Sequence, residues 1–443
     1  MLLPLLYSTQ LKIHMQVFEY PQKNEWSQLL ERPENDLSNL YETVQSILSD
    51  IKQNGDKAAK AYSKKFDGYA ADHLLVSKTE TDKACLEVGS VLKEAIYKAK
   101  LNIEKFHEAQ ISSEKIIETC PGVVCRQKSV AIEKVGLYIP GGTAPLFSTV
   151  LMLAVPAIIA GCKEIVLCTP PNKEGEINPA ILYTASLIGI KSIYKLGGVQ
   201  AIGAMAYGTE SITKVDKIFG PGNSYVTAAK QLVSLKDVAI DMPAGPSEVE
   251  VMADESCIPS FIASDLLSQA EHGVDSQVIL ITDSKKVIVE VQEELTKQLN
   301  QLPRKEIAEK ALLNSRIILL KDKNEMIEIT NQYAPEHLII AMRDDDEVAN
   351  KITNAGSVFI GNYTPESAGD YASGTNHTLP THGYARAYSG VNLDSYVKKI
   401  TFQKISPAGL KNIGPSIEIM AAAEQLDAHK NAVTIRLEAL KNK

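Results

Sequence analysis

VGLYIPGG at residues 135–142, PLFSTVLMLAVPAIIAG at 145–161 and KEIVLCTPP at 163–171 read as a strand, a helix and a second strand. A helix between two short apolar strands is the connection that brings them side by side in parallel. The alternation continues through 177–190, 191–196, 199–209, 214–220 and 223–234, which predicts a parallel sheet covered on both faces as far as about Ala244. A second rhythm follows, with a helix at 260–273, a strand at 276–283, a helix at 285–300 and strands at 315–320, 337–342 and 357–362. It needs a sheet of its own. Upstream, residues 27–119 repeat apolar side chains at helical spacing, as in LYETVQSILSDIKQNG (40–55). Residues 364–393 are rich in Gly, Ser, Thr and His without periodicity, and a loop that long is usually functional. The two helical stretches at 413–442 form a tail too small to hold a core alone.

Composition narrows the function. The chain has 443 residues, 44% of them hydrophobic, enough for more than one core. Its 46 basic and 54 acidic residues give a net charge of -8, and no block of Lys and Arg suggests nucleic acid as a partner. The longest apolar run, Thr149 to Cys162, is too short for a membrane span. The opening MLLPLL lacks the charged start and cleavage site of a signal peptide, and Met15 is an alternative start. None of the 6 cysteines adopts the two-residue spacing of a zinc knuckle or redox pair, so reduced thiols in a cytoplasm are expected. Aldehyde oxidation often uses a cysteine, but Cys162 and Cys168 flank the apolar EIVLC and read as packing.

The dipeptide Glu-His occurs twice. In SQAEHG, Gln269 and His272 are three apart near a helix end that Gly273 would terminate, so they share a face that favours a cation, while Glu271 points away. A histidine capping the helix end is the ordinary alternative. Glu336-His337 follows Pro335 and precedes the strand LIIAM, at a strand mouth, and both side chains reach one pocket only if that junction is irregular. Five of the 8 histidines fall after residue 270, and Asp370 lies among the glycines of the 364–393 loop. Imidazole and carboxylate suit zinc, yet no pair has the spacing of a helical zinc protease. The dinucleotide fingerprint GxGxxG is absent; YIPGGTAPLFS, GGVQAIGA and FGPGNSYVT offer glycine turns into helices instead, which suit phosphate or a tight corner equally.

Seven stretches in order, PGGTAPLFSTVLMLAVPA, FGPGNSYVTAAK, DMPAGPSEV, SQAEHG, APEHL, AGDYASGTNHTLPT and AAAEQLDAHKNAV, resemble histidinol dehydrogenase from about residue 30 to the C-terminus. The resemblance implies oxidation of L-histidinol to L-histidine through the aldehyde with two NAD+ and one zinc ion per subunit, the last step of histidine biosynthesis. It implies Gln269, His272, Asp370 and His429 as zinc ligands that also touch substrate, and Glu336 and His337 as the acid-base pair, His337 touching substrate as well. Ser247, His377 and Glu424 would help hold substrate, and Tyr138, Gln200 and Asn223 would line the NAD site. The implied fold is α/β: two incomplete Rossmann-like parallel-sheet domains, a helical N-terminal segment and a small C-terminal extension that swaps in a homodimer. The implied division is 1–32 as extension and arm, 33–134 with 247–389 as a first, discontinuous domain carrying most of the site, 135–246 as the NAD domain, and 390–443 as a tail on the partner. Whether His429 acts in its own subunit or the other, and whether the metal is zinc or manganese, stay open.

The chemistry needs such groups. Hydride loss from an alcohol leaves a proton for a base such as His337, and the aldehyde must add water, which Glu336 would activate, before a second hydride can leave. Zinc would orient the substrate's imidazole and amino nitrogens. Rival readings are a zinc hydrolase, a zinc- and NAD-dependent enzyme for another alcohol, and a non-catalytic protein stapled by zinc.

Overall fold

The helix Phe147–Ala160 buries every residue from Ser148 to Ala157 and ends at Gly161 in the left-handed region, which turns the chain toward the next strand. It belongs to a computed structural model that describes residues 15–33, 38–70, 72–141, 145–243 and 245–441. The loop residues 142–144 and the 14 residues before the alternative start Met15 lie outside the described residues. In chain order the strands are β1 (Gln16–Glu19), β2 (Lys115–Cys120), β3 (Val123–Ala131), β4 (Lys134–Tyr138), β5 (Glu164–Thr169), β6 (Ser192–Lys195), β7 (Lys217–Phe219) and β8 (Ala239–Ile240). They continue as β9 (Glu248–Ala253), β10 (Gln277–Thr282), β11 (Arg316–Leu319), β12 (His337–Ala341), β13 (Ser357–Ile360) and β14 (Val397–Ile405).

Two parallel sheets form, as the alternating pattern predicts. One has the order β6-β5-β4-β7-β8, the other β1-β11-β10-β9-β12-β13. In each, the strand that comes first after the N-terminal elements, β4 or β9, lies inside, and the order reverses beside it. Both are therefore doubly wound, with a switch point between β4 and β7 and another between β9 and β12. A third sheet, β14-β3-β2, is antiparallel and ties the tail to the hairpin before β4.

The packing departs from the implied division in two places. The helices Ser38–Phe66, Lys78–Glu87 and Ser90–Glu108 pack on the helices of the five-stranded sheet, not on the sheet of 248–360. Their apolar faces decide this: Val44, Leu48 and Ile51 share a core with Ile202 and Met205, while Ile96 and Ile103 share another with Leu151 and Leu153. Residues 16–19, expected in an arm, instead extend the six-stranded sheet at its edge, and Trp26 and Leu30 enter its core. No helix among the described residues is long and apolar enough to cross a membrane.

Candidate functional site

β9 and β12 are parallel neighbours with His337 opposite Val249, so Ser247 and Glu248 stand beside Glu336 and His337 at the amino edge of the six-stranded sheet. The pair thus stands at the mouth of its strand as expected, at the amino edge of the sheet and not at the carboxyl edge where doubly wound sheets ordinarily bind ligands. The required irregularity is present. Ala334 has φ 56, in the left-handed region, and a Cβ on Gly356 would fall 2.5 Å from the Glu336 carbonyl oxygen. The chain thus turns just before the strand and presents both side chains to one side.

Glu248 grips both with its main chain. Its N–H donates to Glu336 Oε2 at 2.9 Å, and its carbonyl accepts from His337 Nδ1 at 3.0 Å. The second bond fixes the proton on Nδ1, so His337 Nε2 carries a lone pair. That atom is buried without a hydrogen-bond partner among the described residues, 3.8 Å from Asp370 Oδ1. Burial pushes the His337 imidazole down to about 3, so it is neutral at physiological pH. Glu336 goes the other way: burial, with the charges of Glu248 and Asp370 adding to it, holds its carboxyl well above the usual range. Asp370 is pushed up to about 7 by burial.

Asp370 lies on a short helix, Glu366–Tyr371, inside the stretch read as a loop. His377 steadies it, donating from Nδ1 to the Asp370 carbonyl at 2.9 Å while Nε2 meets Thr149 Oγ1 at 3.1 Å. Thr149 belongs to a helix of the other sheet, so His377 joins the two sheet layers at the site. Gln269 is fully buried at the end of the helix Pro259–Ala270. With its amide turned as its neighbours require, its oxygen accepts from the Glu248 N–H at 2.9 Å and its nitrogen donates to Glu366 Oε1 at 2.5 Å.

The residues fit a divalent cation. Ligand atoms of His272, Glu366 and Asp370 all lie within 4.8 Å of one another, and buried Glu366 Oε2 has no partner among the described residues. Two carboxylates and an imidazole, with an amide alongside, form an oxygen and nitrogen donor set suited to zinc. Crowding of uncompensated carboxyls is what such a cation would relieve. Glu366 was not anticipated from sequence; its only signal was the spacing of four from Asp370 on one helical face.

A cleft of about 680 Å³ opens beside this cluster, lined by His272, Ser247 and His382 on one side and by Pro140, Pro221 and Asn223 on the other. It joins the amino edge of one sheet to the carboxyl ends of β4 and β7 of the other. Gly220, φ 128, makes the second wall possible, since a Cβ there would lie 2.1 Å from the Tyr138 carbonyl oxygen. Asn223 also caps the helix Ser224–Ser234, accepting from the Val226 N–H at 3.1 Å. Tyr138 and Gln200 are buried elsewhere along the same carboxyl edge: the Tyr138 hydroxyl accepts from Gly198 N–H at 3.1 Å and Gln200 Nε2 donates to Asp67 at 3.2 Å. Neither lines the cleft.

Two expected residues are not brought to the site within one chain. Glu424 caps the helix Pro407–Ala423 and His429 lies on Asp427–Lys441; both are exposed, on helices that pack chiefly on each other and on β14. Cysteine chemistry finds no support: burial raises the Cys168 thiol and pushes Cys162 up to about 11, so neither is a thiolate.

The family model described as histidinol dehydrogenase matches residues 30–437. Among curated relatives, the histidinol dehydrogenase of Bacteroides fragilis is 62% identical over 427 residues, covering 96% of this chain and 100% of that protein. The histidinol dehydrogenase of Escherichia coli is 53% identical over 417 residues, covering 94% and 95%. A crystal structure of histidinol dehydrogenase from Elizabethkingia anophelis superposes with a TM-score of 0.95 at 57% identity, covering 97% of this chain and 99% of that one.

Proposed function

Since the chain belongs to the histidinol dehydrogenase family, NAD-dependent oxidoreductases of histidine biosynthesis, we propose that it takes L-histidinol through the aldehyde to L-histidine with Glu336 and His337 moving the protons. The observation that carries this reading is the His337 imidazole, held neutral with its lone pair on Nε2 and that atom unsatisfied in a buried site. In the first half-reaction the alcohol proton passes to His337 Nε2 as hydride leaves the carbinol carbon; Asp370 at 3.8 Å and Glu336 at 3.6 Å stabilise the imidazolium. In the second, Glu336 takes a proton from the water that adds to the aldehyde, and the hydrate loses its hydride. The first half-reaction releases one proton and the second, which ends in a carboxylate, releases two; each uses one NAD+.

NAD+, when bound, supplies the hydride acceptor, and a divalent ion supplies Lewis acidity that favours the ionised carboxyls around it. His272 and Asp370 would hold the ion, with Glu366 against it, and Gln269 would join them by turning its amide oxygen from the Glu248 N–H toward Glu366 when the ion is bound. Ser247 and His377 would orient substrate at the cleft wall, and Tyr138, Gln200 and Asn223 would contact the cofactor along the carboxyl edge of β4, β6 and β7. For Glu424 and His429 the reading requires a second copy of the chain, a homodimer in which each tail completes the other's site. Exposed Ile419, Met420 and Ile435 on the tail helices support it, as apolar side chains awaiting a partner. A cytoplasmic setting fits the free thiols of all six cysteines.

The test is stoichiometry. NADH formed per L-histidinol consumed should approach two; a ratio of one, with aldehyde accumulating, would refute the four-electron reading.

A further inference from the structure

The segment expected to be an arm ends in Arg32, whose guanidinium enters the site's support. Arg32 Nε donates to Glu248 Oε1 at 2.6 Å and Nη2 to Glu248 Oε2 at 2.8 Å, a two-pronged pair in which both side chains are largely buried. The same Nη2 donates to the Tyr333 carbonyl at 2.9 Å, and the guanidinium lies 4.0 Å from the centre of the Tyr333 ring. Glu248 Oε1 also accepts from the His382 N–H at 2.6 Å. Arg32 thereby joins residue 248, at the start of β9, to residue 333, three positions before Glu336 on the approach to β12.

Its own backbone is held in turn. The Glu31 carbonyl accepts from Gln277 Nε2 at 3.1 Å and from Arg316 Nη1 at 3.0 Å. Tyr333 closes the set by donating its hydroxyl to Gln277 Oε1 at 2.8 Å.

We infer that Arg32 and Glu248 are positioning residues for the oxidation, their ion pair holding the one stretch of main chain that grips both Glu336 and His337. The inference rests on the proton-transfer roles given to those two residues. A planar fork is what the geometry asks for, because the side chain must meet both carboxylate oxygens, a carbonyl and an aromatic face at once. Lysine offers a point charge and cannot span them. Freed from Arg32, the Glu248 peptide would shift by up to about an ångström. The donor to Glu336 and the acceptor from His337 would then move together, away from the reacting carbon.

The experiment compares Arg32→Met, Arg32→Lys, Arg32→Ala and Glu248→Gln in the metal-loaded, full-length enzyme, with L-histidinol and NAD+. The expected result is kcat lowered about 10- to 100-fold in Arg32→Met and Glu248→Gln, the scale of an ångström-sized misplacement. KM for NAD+ and metal content should stay within twofold, Arg32→Lys should fall between, and millimolar guanidinium should restore part of the Arg32→Ala turnover. Wild-type kcat in a folded Arg32→Met or Glu248→Gln enzyme overturns the inference. So does a loss that guanidinium never mends and that Lys shares in full, the mark of a merely structural pair. Should Arg32→Met fail to fold, Glu248→Gln, which keeps shape and removes only charge, decides alone. Wild-type turnover by His337→Ala would instead sink the proton-transfer reading, whatever Arg32 does.

Discussion

Glu250 lets one consequence of the fold be worked through in free energy. It sits in the middle of β9, fully buried; Oε1 accepts from the Thr330 hydroxyl and Oε2 has no partner among the described residues. Burial pushes its carboxyl from 4.5 to about 8; the charge of Glu248 adds to this, while the Thr330 bond and Arg32 oppose it. In the unfolded chain it ionises near 4.5. A carboxyl raised by folding lends its full stability below the unfolded value and loses it as pH climbs through the folded one. From 4.5 to about 8, at about 1.4 kcal/mol for each pH unit, the loss is about 5 kcal/mol. Glu250→Gln keeps the shape and never ionises. Its amide leaves a buried donor unsatisfied, a cost of about 1–3 kcal/mol at every pH. The two stability curves must therefore cross. Urea midpoints at fixed protein concentration should show the variant slightly weaker at pH 5 and stronger by a few kcal/mol at pH 9. Parallel curves across that range would refute the argument that this carboxyl is buried and uncompensated.

Glu336→Gln can still accept the Glu248 N–H through its amide oxygen, so the fold is spared. Aldehyde oxidation should fall by about 100- to 10,000-fold, the worth of a general base, and alcohol oxidation much less; stopped-flow traces losing both halves equally would contradict the assignment. His337→Ala should lose kcat yet retain its divalent metal by elemental analysis, and an empty site would make His337 a ligand. Thorough chelation should abolish turnover and, by freeing the crowded carboxyls of Glu366 and Asp370, lower the thermal midpoint; unchanged activity would remove the metal from the reaction. Mixing His272→Ala with His429→Ala subunits should recover about a quarter of wild-type activity, since half the dimers are mixed and each has one intact site. No recovery would argue that the tail acts within its own chain.

Some of the site was legible because its residues carry a local mark. Helical spacing made a cation beside Gln269 and His272 plausible, with a capping histidine as the alternative, and the demand for an irregular junction before Glu336-His337 is met by Ala334 and Gly356. Glu248 and Glu250 carried the opposite mark. Alternating E-V-E-V in a strand ordinarily puts the acids in water, but here both are buried, against Arg32, Thr330 and Tyr333. Nothing within that strand announces its cover, because the covering residues lie 80 or more positions away or, for Arg32, more than 200. The helices of 38–108 show the same limit: periodicity marked them as amphipathic, and only the competition between two apolar sheets chose the one they cover.

By itself the chain's pattern determined two parallel α/β layers and the helices between their strands, since spacings of 2 and 3.6 residues are properties of a few turns of backbone. Only the tertiary structure decided that the amino end of one sheet faces the carboxyl end of the other across a cleft, that Glu366 joins Asp370 and His272, and that Arg32 pairs with the residue whose main chain holds Glu336 and His337. Those are distances across sequence separations of tens to hundreds of residues, set by which apolar faces exclude water together, and no short window of sequence contains both partners.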